Sequence, residues 1–373
     1  MHWRRITVIL GGIVVVVGIS IVVGWPLLTK AMLSYYYQSV YRARYLTAAD
    51  IQPAPAASTL QDMPWIAADL PVCQSTSLQM IAAQHGNHQP RPAIDLLMAF
   101  TYGFTTIPDS DELIPFGQDP EIGMLVAAPY LGLKRQYYVT DDPDLWIAAA
   151  RSFIAQGYPV RVALDMGRLY DHPTFVAHSD ILAGYDQDGF FVYETVCLSP
   201  APCQPGQYPA GADGLYRTHA QLLAAMESQA AVFGYPWRYN LTVFTPVAPV
   251  SDFKPIWQQL ARVTLGADQY GPTSGVVALE RLIEKIEQKR VNSAQLGELF
   301  ATTARFRHDN AAFLRERFAA DTTLVQAAAY LEEAATRYEQ VASDPQSGSV
   351  TDLLRRAAAA ERAFGEAMQA YVR

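Results

Sequence analysis

The chain has 373 residues, 50% of them apolar and 17% charged, with a formal charge of −8 at pH 7. That length suffices for two domains with real cores, and the apolar fraction excludes a disordered chain. No basic block supplies the electrostatic footprint that DNA or RNA binding needs, so no nucleic-acid partner is expected.

The first element is the uncharged run ITVILGGIVVVVGISIVVGWPLL, Ile6–Leu28. At ~1.5 Å per residue it can cross a hydrocarbon core of ~30 Å; it outruns the roughly 7–15 apolar residues of a signal peptide, and no small-x-small cleavage site follows. Residues 1–30 therefore read as an uncleaved transmembrane anchor, with the lipid bilayer held through residues 6–28. Arg4 and Arg5 precede the run, while Lys30, Arg42 and Arg44 follow it. A tail this short and basic stays cytoplasmic, which makes the chain a single-pass protein of the cell membrane with an extracytoplasmic globular part.

Residues 31–60 divide into a tyrosine-rich juxtamembrane helix, AMLSYYYQSVYRARYLTAAD, and the proline-broken IQPAPAAST, which reads as a stiff linker. Residues 61–250 alternate helical and extended patterns: a helix after Cys73, another in DPDLWIAAARSFIAQG, a strand in PVRVAL, and a hairpin in HSDILAGYDQDGFFVYET turning at Asp188-Gly189. From 251 to 373 alanine-rich helical periodicity takes over, broken by Gly, Asn, Asp and Ser. The expected class is α+β, followed by an all-helical domain.

Three readings are open to Cys73: a small core residue, half of a disulfide, or a nucleophile. Ser75, Thr76 and Ser77 favour a helix start, Leu78, Ile81 and Ala82 form one apolar face, and Gly86 can close the helix. A helix N-terminus favours a thiolate, and its N–H groups can hold an oxyanion. The base candidate is His178, at the start of the hairpin's first strand. Glu194, at the end of the second, is nearly symmetric with it about the turn and is the candidate orienting acid. Cys197 and Cys203 close a short Pro-containing loop and are expected to be disulfide-bonded in an oxidising compartment. His85 and His88 straddle a helix-ending glycine without a third ligand, and Asp171, His172 and Asp186 read as loop and turn polar groups; no metal or cofactor is expected.

Together the cysteine-led helix, the later His178 followed by Gly184-Tyr185-Asp186, and the acid sixteen residues beyond the histidine resemble the papain-like superfamily. The chain is similar to the bacteriocin-leader-processing cysteine peptidases and, more closely, to the butirosin-biosynthesis H-type proteins, whose helical C-terminal extension is matched by GPTSGVVALERL and RFRHDNAAFLRERF. The likeness covers about residues 65–370. It implies a papain-like fold over residues 61–250 and a covalent acyl-cysteine on Cys73. His178 would shuttle the proton, and the substrate would be a peptide, amide or acyl-thioester carbonyl. Two departures stand out: CQSTS replaces the usual Cys-Gly-Pro-Thr-Ser with no Gln between Asp62 and Cys73, and Glu194-Thr195 replaces Asp-Pro. The rival expectations are a catalytically degenerate papain-like module serving as a binding or scaffold subunit beside a membrane protein partner, and a periplasmic small-ligand-binding domain.

Overall fold

A computed structural model describes residues 31–68, 70–106, 112–196, 214–266, 273–291 and 293–373. The strands are β1 (Ala43–Tyr45), β2 (Ser58–Thr59), β3 (Thr105–Thr106), β4 (Leu113–Ile114), β5 (Leu133–Thr140), β6 (Val160–Asp165), β7 (Ala177–Tyr185), β8 (Gly189–Tyr193), β9 (Leu215–Thr218) and β10 (Tyr239–Pro246). Residues 31–41 form α1. The other helices are α2 (Cys73–Gln84), α3 (Arg91–Met98), α4 (Pro120–Ala127), α5 (Pro143–Ala155), α6 (Met166–Leu169), α7 (His219–Phe233), α8 (Lys254–Leu265), α9 (Gly275–Glu287), α10 (Ser293–Arg317), α11 (Thr322–Ser343) and α12 (Val350–Tyr371). The class is mixed α and β, as the alternating patterns predict. Among the described residues no helix is long and apolar enough to cross a membrane; the run Ile6–Leu28 and both Cys197 and Cys203 lie outside them.

The chain divides into two units, one from Met1–Leu60, Gln136–Val192 and Tyr216–Val243, the other from Gln61–Arg135, Tyr193–Leu215 and Phe244–Arg373. The first carries an eight-stranded sheet in the order β1-β5-β10-β6-β7-β8-β9, with β2 added to β7. β1 lies parallel to β5, while β6 is antiparallel to both β10 and β7. Every residue of β6, and every residue of β7 after Ala177, is buried, which is why both read as nearly unbroken apolar runs.

The proline-broken segment is not a spacer. Ser58 and Thr59 pair with Tyr185 and Gly184, the Gln52 N–H donates to Ser152 Oγ at 2.8 Å, and Arg151 donates to the Ala56 carbonyl at 2.9 Å. Extended prolines suit an edge segment, because a missing N–H costs nothing where no strand follows. α5 starts on an Asp142 cap with Pro143 in its first turn, and α7 starts on a Thr218/Gln221 capping box and closes on Gly234 at φ +64°.

In the second unit the C-terminal helices share a core with the segment before β5. Phe104 and Leu113 are buried in one cluster with Leu279, Phe300, Tyr338 and Leu354. Gly103 brings that segment onto α8: a Cβ on it would stand 2.5 Å from the Val263 carbonyl oxygen, so only glycine fits. The division expected at residue 250 is therefore not where this unit ends, since residues 61–135 and 251–373 are packed as one body.

A buried polar chain crosses the same unit. Arg91 bridges Asp95 and Asp309, Thr101 Oγ1 donates to Asn310 Oδ1 at 3.2 Å, and Arg307 bonds both Glu361 and the Thr101 carbonyl. Burial pushes the Asp95 carboxyl up to about 6, outweighing the Arg91 guanidinium and the Ser75 hydroxyl that pull it down. The folded value lies above the unfolded one, so Asp95 binds its proton more tightly when folded. Its contribution is complete below pH ~4 and is lost as pH rises to about 6. Relative to Asp95→Asn, the unfolding free energy of the native chain should fall by about 2 kcal/mol between pH 4 and pH 7. Urea titrations of both proteins at the two pH values read this, and a pH-independent difference would contradict it.

Candidate functional site

The nucleophile candidate lies in the second unit. α2 begins at Cys73, with Val72 at the cap position and no side-chain cap bond, and ends at Gln84, with His85 and Gly86 at φ +81° turning the chain away. The helix differs from the predicted amphipathic one, because its polar first turns are as buried as its apolar face. The physical reason is local: Ser75 Oγ donates to the Val72 carbonyl and Ser77 Oγ to the Cys73 carbonyl at 2.8 Å, so hydroxyls are satisfied by the helix's own backbone and can enter a core. Cys73 is a free cysteine, 7% exposed, at the first helical position. An α-helix start offers N–H groups without intrahelical partners and a partial positive charge, which is what a thiolate or oxyanion needs.

Glu194 belongs to the same unit and lies beyond the end of β8. Its Oε1 accepts the N–H groups of Thr195 and Val196 at 2.8 and 3.2 Å, so part of this buried carboxylate closes its own backbone turn. Its carbonyl accepts Trp65 Nε1, and the Ala68 N–H donates to the Thr195 carbonyl at 3.1 Å. These bonds tie the stretch leading into Cys73 to the stretch after β8.

The base candidate lies in the first unit. His178 is the second residue of β7, level with Leu164 on β6, and is 2% exposed. Residues two apart on a strand share a face, and here that brings Asp180 to it: His178 Nε2 and Asp180 Oδ1 are 3.0 Å apart, both buried. A carboxylate at this distance fixes the ring's orientation and balances its charge when it takes a proton. The strand's start is held by Asp165, whose carboxylate accepts the Val176 N–H at 3.1 Å and the Ser228 hydroxyl at 2.6 Å.

Sequence reasoning picked His178 and passed over Asp180. The signal was present as His-Ser-Asp inside a predicted strand, an i, i+2 pair on one face. The β7–β8 turn closes between Asp186 and Gly189, with Asp186 accepting the N–H groups of Asp188 and Gly189.

Asp186 is a turn acceptor held low by those N–H bonds, and His172 Nδ1 accepts the Thr174 N–H within its loop. His85 sits at the end of α2, its imidazole pushed down by burial, while His88 is exposed. No family model matches the chain, and no curated protein matches it.

Proposed function

We propose that the chain is a membrane-anchored, papain-like thiol enzyme acting on a peptide, amide or acyl-thioester carbonyl through a covalent acyl-cysteine. Cys73 Sγ attacks the carbonyl carbon and its proton passes to His178, which returns it to the leaving amine or thiol. Water or a second acceptor then releases the acyl group. Asp180 orients the imidazole, and Glu194 is a second acid candidate. The residues 6–28 hold the bilayer, the globular part lies on the extracytoplasmic side, and Cys197 and Cys203 are bonded to each other, leaving Cys73 the sole thiol.

The observation that supports this most is the pairing of a buried histidine with a buried carboxylate on β7, in a chain whose free cysteine opens a helix. A histidine serving only to fill a core has no need of an adjacent buried acid, which costs desolvation. Iodoacetamide should label Cys73 rapidly near neutral pH, because the thiolate is the reactive form and a base that takes the proton supplies it. His178→Ala should slow that labelling by at least about tenfold. Peptide mass mapping locates the label and counts the other thiols. Slow labelling unaffected by His178 would instead favour the degenerate scaffold reading.

A further inference from the structure

α1 is attached to the sheet-bearing unit by aromatic rings. Tyr37 meets Tyr235 at 5.1 Å and Trp237 at 5.7 Å, both edge-on, and Tyr41 meets Tyr137 at 6.2 Å. The stack continues from Trp237 to Tyr235 at 5.6 Å, from Tyr235 to Phe233 at 5.6 Å, and from Phe233 to Phe175 at 5.7 Å. One ladder of rings thus links α1, the end of α7 and the loop just before β7. The inner rings of Trp237 and Tyr137 are buried. The outer apolar side chains are not: Tyr35 is 77% exposed, Met32 64%, Val232 57% and Phe233 44%, with Tyr36 and Val176 beside them in the sequence also exposed.

The three stretches that converge here, residues 31–41, 173–177 and 229–237, contain no Asp, Glu, Lys or Arg. A charge-free exposed patch of this kind marks an interaction surface. Its occupant follows from the place of these residues in the sequence. Ala31 comes three residues after Leu28, the end of the uncharged run, so α1 is tethered within about 10 Å of the point where that run leaves the hydrocarbon. Tyrosine, with an apolar ring and a polar tip, suits that depth.

We propose that Met32, Tyr35, Tyr36, Val176, Val232 and Phe233 form a bilayer-interface surface that lays the sheet-bearing unit on the membrane. The proposal rests on the reading that residues 6–28 span the bilayer. It adds a second, non-covalent contact, contributed by α7 and by the residues immediately ahead of the His178 strand.

The test uses the full chain reconstituted in phosphatidylcholine vesicles, with or without lipids brominated near the headgroup end of the acyl chain. Bromine quenches tryptophan only at bilayer depth. In the native chain Trp25, inside the run, reports the anchor; the extra emission of Phe233→Trp over the native chain reports the surface. The expected result is quenching of the native chain and loss of about half or more of the additional emission from position 233. A quenched native chain with an unquenched increment overturns the surface and leaves the anchor. A blue-shifted but unquenched increment does the same and points to a second copy as the cover. No quenching of either overturns both.

Discussion

Asp180→Asn should slow iodoacetamide labelling of Cys73 at pH 7 by at least about tenfold. Asparagine keeps the shape of the side chain and can still meet His178 Nε2, now 3.0 Å from the carboxylate. It removes the negative charge that balances a protonated ring, and it can present an N–H where an acceptor is needed. Glu194→Gln should change the rate by less than about twofold, because Glu194 Oε1 is engaged with the backbone of Thr195 and Val196. The pair of variants separates the two acid candidates without a known substrate. Equal slowing by both would restore Glu194 to the orienting role, and no slowing by Asp180→Asn would remove Asp180 from the site.

The second large effect concerns stability. Arg307 is fully buried, with Nε 2.5 Å from Glu361 Oε1 and its guanidinium 5.2 Å from the centre of the Phe104 ring. Tyr338 adds a hydrogen bond to the same Glu361 oxygen at 3.2 Å. Arg307→Met should destabilise the chain by about 3–5 kcal/mol, because Glu361 would be left as a buried charge without its cation. Burial already raises the Glu361 carboxyl against the pull of Arg307. Without Arg307 its folded value rises further above the unfolded one, so the loss is smallest at low pH, where Glu361 is protonated, and grows as pH rises through the folded value. The double variant Arg307→Met/Glu361→Met should recover most of the stability, since it buries no charge. Denaturant titrations at pH 5 and pH 8 read all three proteins; a pH-independent loss that the double variant does not restore would mean that packing, and not charge, carries the effect.

The sequence was most legible where the cause is local. The end of α2 is written in Gly86, and the β7–β8 turn is written in Asp186, Asp188 and Gly189, because such turns are closed by bonds a few residues long. What escaped depends on distant partners. Pairing β1 with β5 sets Ala43 beside Tyr137, and nothing in the tyrosine-rich stretch, which reads as one helix, announces such an edge. The burial of Gln74, Ser75 and Thr76 contradicts their polarity, and follows only once their helix is enclosed by the rest of its unit. The merging of residues 61–135 with 251–373 rests on bonds such as Arg91 to Asp309 and Arg307 to Thr101, which span some two hundred residues. Within the candidate site, the closeness of Asp180 to His178 is legible only from strand geometry, as an i, i+2 pair on one face.

The packing of residues 61–135 with 251–373 sets an order of events for the growing polypeptide. The helix bearing Cys73 leaves the ribosome long before Asp309, Arg307 and Glu361 exist, and the residues that encode the other unit's sheet are made in between. At roughly 5–20 residues per second, the interval between Arg135 and Arg307 amounts to about 10–30 s. Throughout it the apolar side chains of α2 and α3 lack their final cover. The thiol is thus open to oxidation and to mixed-disulfide formation before it has a folded environment. Newly made protein should depend on thiol-directed and holding chaperones far more than the mature protein does, and a nonsense or frameshift lesion late in the reading frame should be as damaging to the cysteine helix as one placed beside it.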